Sequence, residues 1–182
     1  YEGLTSKMKK EEWVPDFGPA EFNPKYGVTA VGARDFLIAY NVNLNTTSLR
    51  KANSIAFDVR EKGRIKREGN KISGAILRDE AGKPIREAGM LKAVKAIGWF
   101  IDEYGVCQIS MNLTNISITS IHEAFDAVVE SATKRGMRVT GSELIGLIPK
   151  KAMLDAGRHY LKKQNRSTGI SEEEIIHIAI KS

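Results

Sequence analysis

Side-chain amides and hydroxyls recur at every second position of VCQISMNLTN, the stretch from Val106 to Asn115. Read as a strand, Cys107, Ile109, Met111 and Leu113 point one way while Gln108, Ser110 and Asn112 point the other. A solvated strand face usually carries Lys, Glu, Arg or Thr, and a buried one is apolar. An uncharged polar row is neither, and it calls for hydrogen-bond partners. The stretch DFLIAYNVNL repeats the pattern, with Phe36, Ile38, Tyr40, Val42 and Leu44 on one side and Leu37, Ala39, Asn41 and Asn43 on the other. Amides offer donor and acceptor together, so such a face suits a small polar ligand carrying carboxamide, pterin-like or amino-acid groups, with no charge to desolvate. The plainer reading is a sheet face covered by another protein layer.

Other chemistries find less support. The three histidines, His122, His159 and His177, fall on three separate predicted helices, and one cysteine makes no CxxC site, so no metal site is expected. His122 stands at the second position of a capped helix, where the macrodipole favours a neutral imidazole able to relay a proton. With no second group in reach by sequence, it reads more simply as local structure. A base-stacking RNA surface would place aromatics where these amides stand, and no RNP-like run occurs, so nucleic acid is not the expected partner.

The elements that must position the amides follow from periodicity. TTSLRKANSIAFDVREKG predicts a helix capped by Thr46 or Thr47 and stopped at Gly63. LKAVKAIGWFID and VCQISMNLTN form a hairpin about Glu103 to Gly105. SIHEAFDAVVESATKRG is a helix opened by a Ser120/Glu123 capping box, and MRVTGSEL is the last strand. Pro149 opens a helix running through Asn165, and Ser171 with Glu174 caps a final one in SEEEIIHIAIKS. The order strand, helix, strand, strand, helix, strand predicts an α+β, ferredoxin-like βαββαβ antiparallel sheet with both main helices on one face, plus C-terminal helices. Asn41, Asn43, Gln108, Ser110 and Asn112 should then share the face left bare.

Residues 1–27 read as a linker, since Pro15, Gly18, Pro19, Pro24 and Gly27 forbid a continuous helix or central strand there. Residues 28–182 form the domain. The net charge of +6 is concentrated: from Arg64 to Lys95, nine basic residues, Lys71 among them, face four acidic ones. This basic insertion, 64–90, contains a hairpin in GAILRDEAGKPI and suits nucleic acid, an anionic substrate tail or, most simply, water. No apolar run approaches the ~20 residues of a membrane span, so no membrane association is expected. The lone Cys107 on a core face suits a reducing cytoplasm. Opening at Tyr1 without a signal-type stretch, the sequence reads as one lobe of something larger. A bare polar face predicts that it pairs with another layer, a second copy being one option.

Four stretches in order, WVPDFGP, GVTAVGARDFLIAYNVNL, GWFIDEYGVCQISMNLTN and VTGSELIGLIPKKAML, resemble the glutamate formimidoyltransferase family, and in particular its C-terminal subdomain with the preceding linker. The resemblance runs from about Gly3 to the helix after Pro149 and is weakest over 64–90. It implies transfer of a formimino group from N-formimino-L-glutamate to N5 of tetrahydrofolate, in histidine breakdown. It also implies two αβ subdomains whose sheets meet around a substrate tunnel. Arg34, Asn41, Asn43, Gln108, Ser110 and Asn112 would then line one wall. The linker resembles a folate-contacting segment, which assigns folate contact to Trp13, Val14, Pro15, Asp16, Phe17, Gly18, Pro19, Ala20, Glu21 and Phe22. Trp13 and Phe17 would stack on a ring and Asp16 would accept from pterin N–H groups. Arg34 is the cation best placed for a glutamate carboxylate. The family's catalytic histidine belongs to the N-terminal subdomain. None of His122, His159 and His177 matches it, so this stretch supplies no catalytic residue of its own and would act with that partner subdomain. The readings that compete with this one are a stand-alone ligand-binding or regulatory module of the same fold and, less well supported, an RNA-binding domain.

Overall fold

The computed structural model describes residues 3–70 and 73–181; Lys71 of the basic insertion and Ser182 lie outside them. Two compact units divide between Arg34 and Asp35. In the first, a single turn of helix, α1 (Leu4–Lys7), precedes a 3₁₀ turn at Glu11–Trp13. The prolines then keep the chain irregular up to a tight turn in which Asn23 Oδ1 accepts from the amides of Lys25 and Tyr26, at 2.9 and 3.0 Å.

The second unit follows the predicted order. Strand β1 (Ile38–Leu44) leads to α2 (Leu49–Val59), and the insertion carries the short pair β2 (Arg64–Ile65) and β3 (Arg86–Glu87). The hairpin β4 (Val94–Ile101) and β5 (Val106–Leu113) is followed by α3 (Ile121–Thr133), β6 (Val139–Ile145), α4 (Lys150–Lys163) and α5 (Glu172–Lys181). The main sheet runs β4-β5-β1-β6, antiparallel throughout. Phe36 and Leu37 fall outside β1, and Phe36 is exposed.

Alternation does the sorting. Ile38, Tyr40, Val42 and Leu44 join Cys107, Ile109, Met111 and Leu113 in one buried cluster with Ala52, Ile55 and Val59 of α2 and Ala124 and Val128 of α3. Each fully buried Leu or Ile in it contributes about 1.5–3 kcal/mol. Helix α2 approaches β4 so closely that a Cβ at Gly98 would lie 2.5 Å from the backbone nitrogen of Asn53 and 2.6 Å from the carbonyl carbon of Ala52. Asn53 Oδ1 also accepts the Gly98 amide at 3.2 Å. No side chain fits between them.

The caps hold α3 and α5 as predicted: Ser120 and Glu123 form a capping box, and Ser171 and Glu174 repeat it at α5. At α2 the cap is Ser48, whose hydroxyl accepts from the Lys51 amide, while Thr46 instead accepts from Ser48 through its own hydroxyl. The helix ends at Val59, four residues before Gly63, because Arg60 is already extended. The hairpin in the insertion forms, turning on Asp79, whose carboxylate accepts from Ala81 and Lys83 amides. Its guanidiniums are mostly spent at home. Arg64 pairs with Asp58 of α2, Arg67 donates to the Gly74 carbonyl at 2.8 Å, and Arg78 donates to that of Gly82 at 2.7 Å.

Gly98→Ala is expected to destabilise the fold by about 1–3 kcal/mol through overpacking of α2 against β4. Chemical denaturation measures this; an unchanged midpoint would show that the two elements are not in such close contact.

Candidate functional site

The face away from the helices is where the amides meet. Strand register sets Asn41 opposite Ser110 and Asn43 opposite Gln108 on the β5 side, and opposite Glu143 and Gly141 on the β6 side. Trp99 of β4 stands beside Gln108, and Ile97 beside Ser110. Asn41, Asn43, Gln108, Ser110 and Asn112 therefore do share one surface. They are not equally bare. Asn112 is exposed and Ser110 and Asn43 are half-buried, but Asn41 is 7% exposed and Gln108 0%.

Gln108 is buried because its amide is used at both ends. Trp99 Nε1 donates to Gln108 Oε1 at 3.2 Å, and Gln108 Nε2 donates to Glu143 Oε2 at 2.9 Å. Since β1 lies between β5 and β6, this last bond spans β1 diagonally, from the β5 partner of Asn43 to the β6 partner of Asn41. Tyr104, in the β4–β5 turn, donates to Glu143 Oε1 at 2.6 Å, and the Asn41 side chain stands beside the same carboxylate. These bonds, that of Tyr104 foremost, hold the Glu143 carboxyl below its ordinary pKa, and the same contact pushes the Tyr104 phenol up. Glu143 stays ionised with the neutral donors Tyr104 and Gln108. No cation pairs with it among the described residues. Asn43 Oδ1 is buried without a hydrogen-bond partner among them, so the row is not saturated from within. Its neighbour Gly141 leaves open space, since a Cβ there would meet only Asn43 Nδ2, at 3.9 Å.

The remaining sequence candidates fall in the first unit. Trp13 is partly exposed, donates to Glu12 Oε1 at 3.1 Å and lies under the Lys7 ammonium, 4.6 Å from its ring. Phe17 is 95% exposed; Val14, Asp16, Gly18, Pro19, Ala20, Glu21 and Phe22 are exposed and Pro15 half-buried. Arg34 is exposed as well.

Glu143, Tyr104 and Trp99 are the members of the site that the sequence reading missed. The signal was available: alternation in VTGSELI puts Gly141, Glu143 and Ile145 on one side, and a lone carboxylate there should have stood out. The reading also missed a pairing on the opposite side of the sheet. The rings of His122 and His159 stack with centroids 4.4 Å apart, His159 Nε2 lies 2.9 Å from Asp126, and Lys163 holds the same carboxylate. Burial, then the neighbouring imidazole, pushes the His122 pKa down, so it remains a neutral ring hydrogen-bonded to Ser120. Near it a cavity of about 970 Å³ opens between α3, β6, α4 and α5, walled by Phe125, Leu144, Ile148, Met153, Tyr160 and Ile176. Among the described residues no three His, Cys, Asp or Glu side chains gather as a metal site, and no helix is long and apolar enough to cross a membrane.

Comparison with known proteins assigns this architecture to a lineage. The family model "Formiminotransferase domain" matches residues 39–182, and "Formiminotransferase domain, N-terminal subdomain" matches residues 1–34. The chain belongs to the formiminotransferase family. It is 44% identical over 165 residues to the formimidoyltransferase-cyclodeaminase of Dictyostelium discoideum, covering 91% of this chain and 27% of that protein. The corresponding protein of Sus scrofa is 42% identical over 165 residues, with the same coverage. The glutamate formimidoyltransferase of Thermoplasma acidophilum is 38% identical over 162 residues, 89% of this chain and 45% of its own length. The chain thus spans between about a quarter and a half of the length of these formiminotransferase relatives.

Replacing Tyr104 by Phe removes the foremost donor to Glu143 and is expected to raise the Glu143 pKa toward its ordinary value. Carbon NMR titration of the side-chain carboxyl measures it; an unmoved midpoint would mean that the phenol does not hold the carboxylate in solution.

Proposed function

We propose that this chain is the C-terminal subdomain of a glutamate formimidoyltransferase, with residues 1–27 as the linker to, and end of, the N-terminal subdomain. Its amide face forms one wall of the tunnel in which a formimino group passes from N-formimino-L-glutamate to N5 of tetrahydrofolate. The observation that carries this reading is the uncharged hydrogen-bonding row opposite the helices, incompletely satisfied at Asn43 and edged by the part-exposed Trp99 and Ile97. Family membership and the activities for which the relatives are named suggest the reaction.

In this reading the chain's own residues bind and orient. Asn112, Ser110 and the Asn41–Asn43 edge offer donors and acceptors to the pterin and amino-acid groups, and the indole of Trp99 offers an apolar edge. Trp13 to Phe22 contact the folate, with Asp16 accepting from pterin N–H groups, and Arg34 takes a substrate carboxylate. Fixing both substrates is itself a large part of the rate, because attack of the folate nitrogen on the amidine carbon is otherwise bimolecular. Proton transfer to the departing nitrogen belongs to a histidine of the N-terminal subdomain, not to His122, which faces the helix layer. The lone Cys107 thiol, buried and with its pKa pushed up by burial, suits work in the reducing cytoplasm. The central strands β1 and β5 carry no aromatic on the open face, so a base-stacking RNA platform is disfavoured.

The test is titration of the full-length protein with tetrahydrofolate. Ser110→Ala combined with Asn112→Ala is expected to weaken binding about three- to tenfold, at about 1 kcal/mol or less per lost hydrogen bond. His122→Ala on the helix side is expected to leave it unchanged. Absence of folate binding in the unmodified protein, or sensitivity to His122 alone, would overturn the reading.

A further inference from the structure

Glu143 is a carboxylate set among amides. It stands on β6 in register with Asn41, and among the described residues the donors hydrogen-bonded to it, Tyr104 and Gln108, are neutral, as is Asn41 beside it. A carboxylate has about four acceptor positions, so the bonds from Tyr104 and Gln108 leave acceptor capacity unspent, and no cation among the described residues pairs with the charge. On an open surface that charge is solvated by water. If the face becomes the inner wall of a tunnel, as proposed above, water is removed and an unpaired carboxylate is strongly disfavoured unless something cationic arrives with the ligand.

The two substrates of the proposed reaction differ in this respect. The aminopyrimidinone edge of the folate is neutral. The formimino group is an amidine, a strong base that is a planar cation at neutral pH, with N–H donors arranged much as in the guanidinium of arginine. Charge-assisted bonds from such a planar cation to a carboxylate are roughly twice as strong as neutral ones. The open space over Gly141, two residues before Glu143 on the same face, gives a flat group room to lie beside the carboxylate.

We propose that Glu143 is the counter-ion of the protonated formimino group, held for that purpose by Tyr104 and Gln108. This inference rests on the reading of the amide face as a tunnel wall. Its consequence is selectivity. N-formylglutamate, which has the same skeleton with a neutral carbonyl in place of the amidinium, should be rejected by the same carboxylate that attracts the formimino compound.

The experiment compares the full-length protein with its Glu143→Gln variant, measuring affinity for N-formiminoglutamate, N-formylglutamate and tetrahydrofolate. Gln keeps the side-chain shape and removes the charge: its oxygen accepts from Gln108, preserving the bond across β1, and its amide nitrogen donates to the Tyr104 phenol oxygen. The expected result is at least a tenfold loss of affinity for the formimino compound, with N-formylglutamate bound equally or better. Tetrahydrofolate affinity and melting temperature should stay within about twofold and a few degrees of the unmodified protein, which also shows that the variant is folded. Glu143→Asp should recover part of the formimino affinity. Should the variant discriminate formimino from formyl as the unmodified protein does, or lose only folate affinity, the counter-ion role is overturned while folate binding itself, and so the proposed function, stands. Failure of the unmodified protein to bind tetrahydrofolate would remove both.

Discussion

The hydrogen bond from Gln108 to Glu143 is the constraint on which the open face depends. It joins strands β5 and β6 over the intervening β1, and with Trp99 donating from β4 it ties all four strands together on the side that no helix covers. A sheet face in this position would ordinarily be loose, because exposed side chains are screened and mobile. Here the central row is cross-linked by hydrogen bonds instead. Asn41 and Gln108 are as buried as core residues although they lie on the outer side, and their order comes from polar bonds within the face itself. In the proposed reading this directional surface, uncharged except at Glu143, is preorganised for a ligand, and preorganisation lowers the entropic cost of binding.

The opposite face explains why this arrangement is affordable. Helices α2 and α3 bury an apolar row from β1, β4 and β5, with Val139 and Leu144 of β6 packed against it, and α2 sits directly on the Gly98 backbone. The fold's stability resides there, leaving the outer side free for polar chemistry. Asp58 reinforces the helix layer by accepting from Ser131 and pairing with Arg64 and Arg135, which links α2, α3 and the base of the insertion. The insertion's positive charge is therefore partly consumed in fixing its own shape.

Much of this was legible beforehand, for identifiable reasons. Period-two alternation in Val106–Leu113 and in Ile38–Leu44 reported which residues face the helices, because burial on one side leaves no freedom of register. The capping boxes at Ser120 and Ser171 were readable because both partners lie within one turn. What escaped depends on contacts between distant segments. Glu143 meets Gln108 across 35 positions, and His159 meets Asp126 across 33, so no local pattern announces either. The burial of Gln108 was hidden for the same reason. The roles of Trp13 to Phe22 and of Arg34 came from resemblance alone, and their exposure within the first unit is compatible with ligand contact without requiring it.

The most direct measurement is a crystal structure of the full-length protein with tetrahydrofolate bound. The account predicts the pterin lying against the outer sheet face, within hydrogen-bond distance of side chains among Asn41, Asn43, Ser110 and Asn112. Density for the folate in the helix-side cavity beside Phe125 and Tyr160, with the amide face covered only by protein, would contradict it.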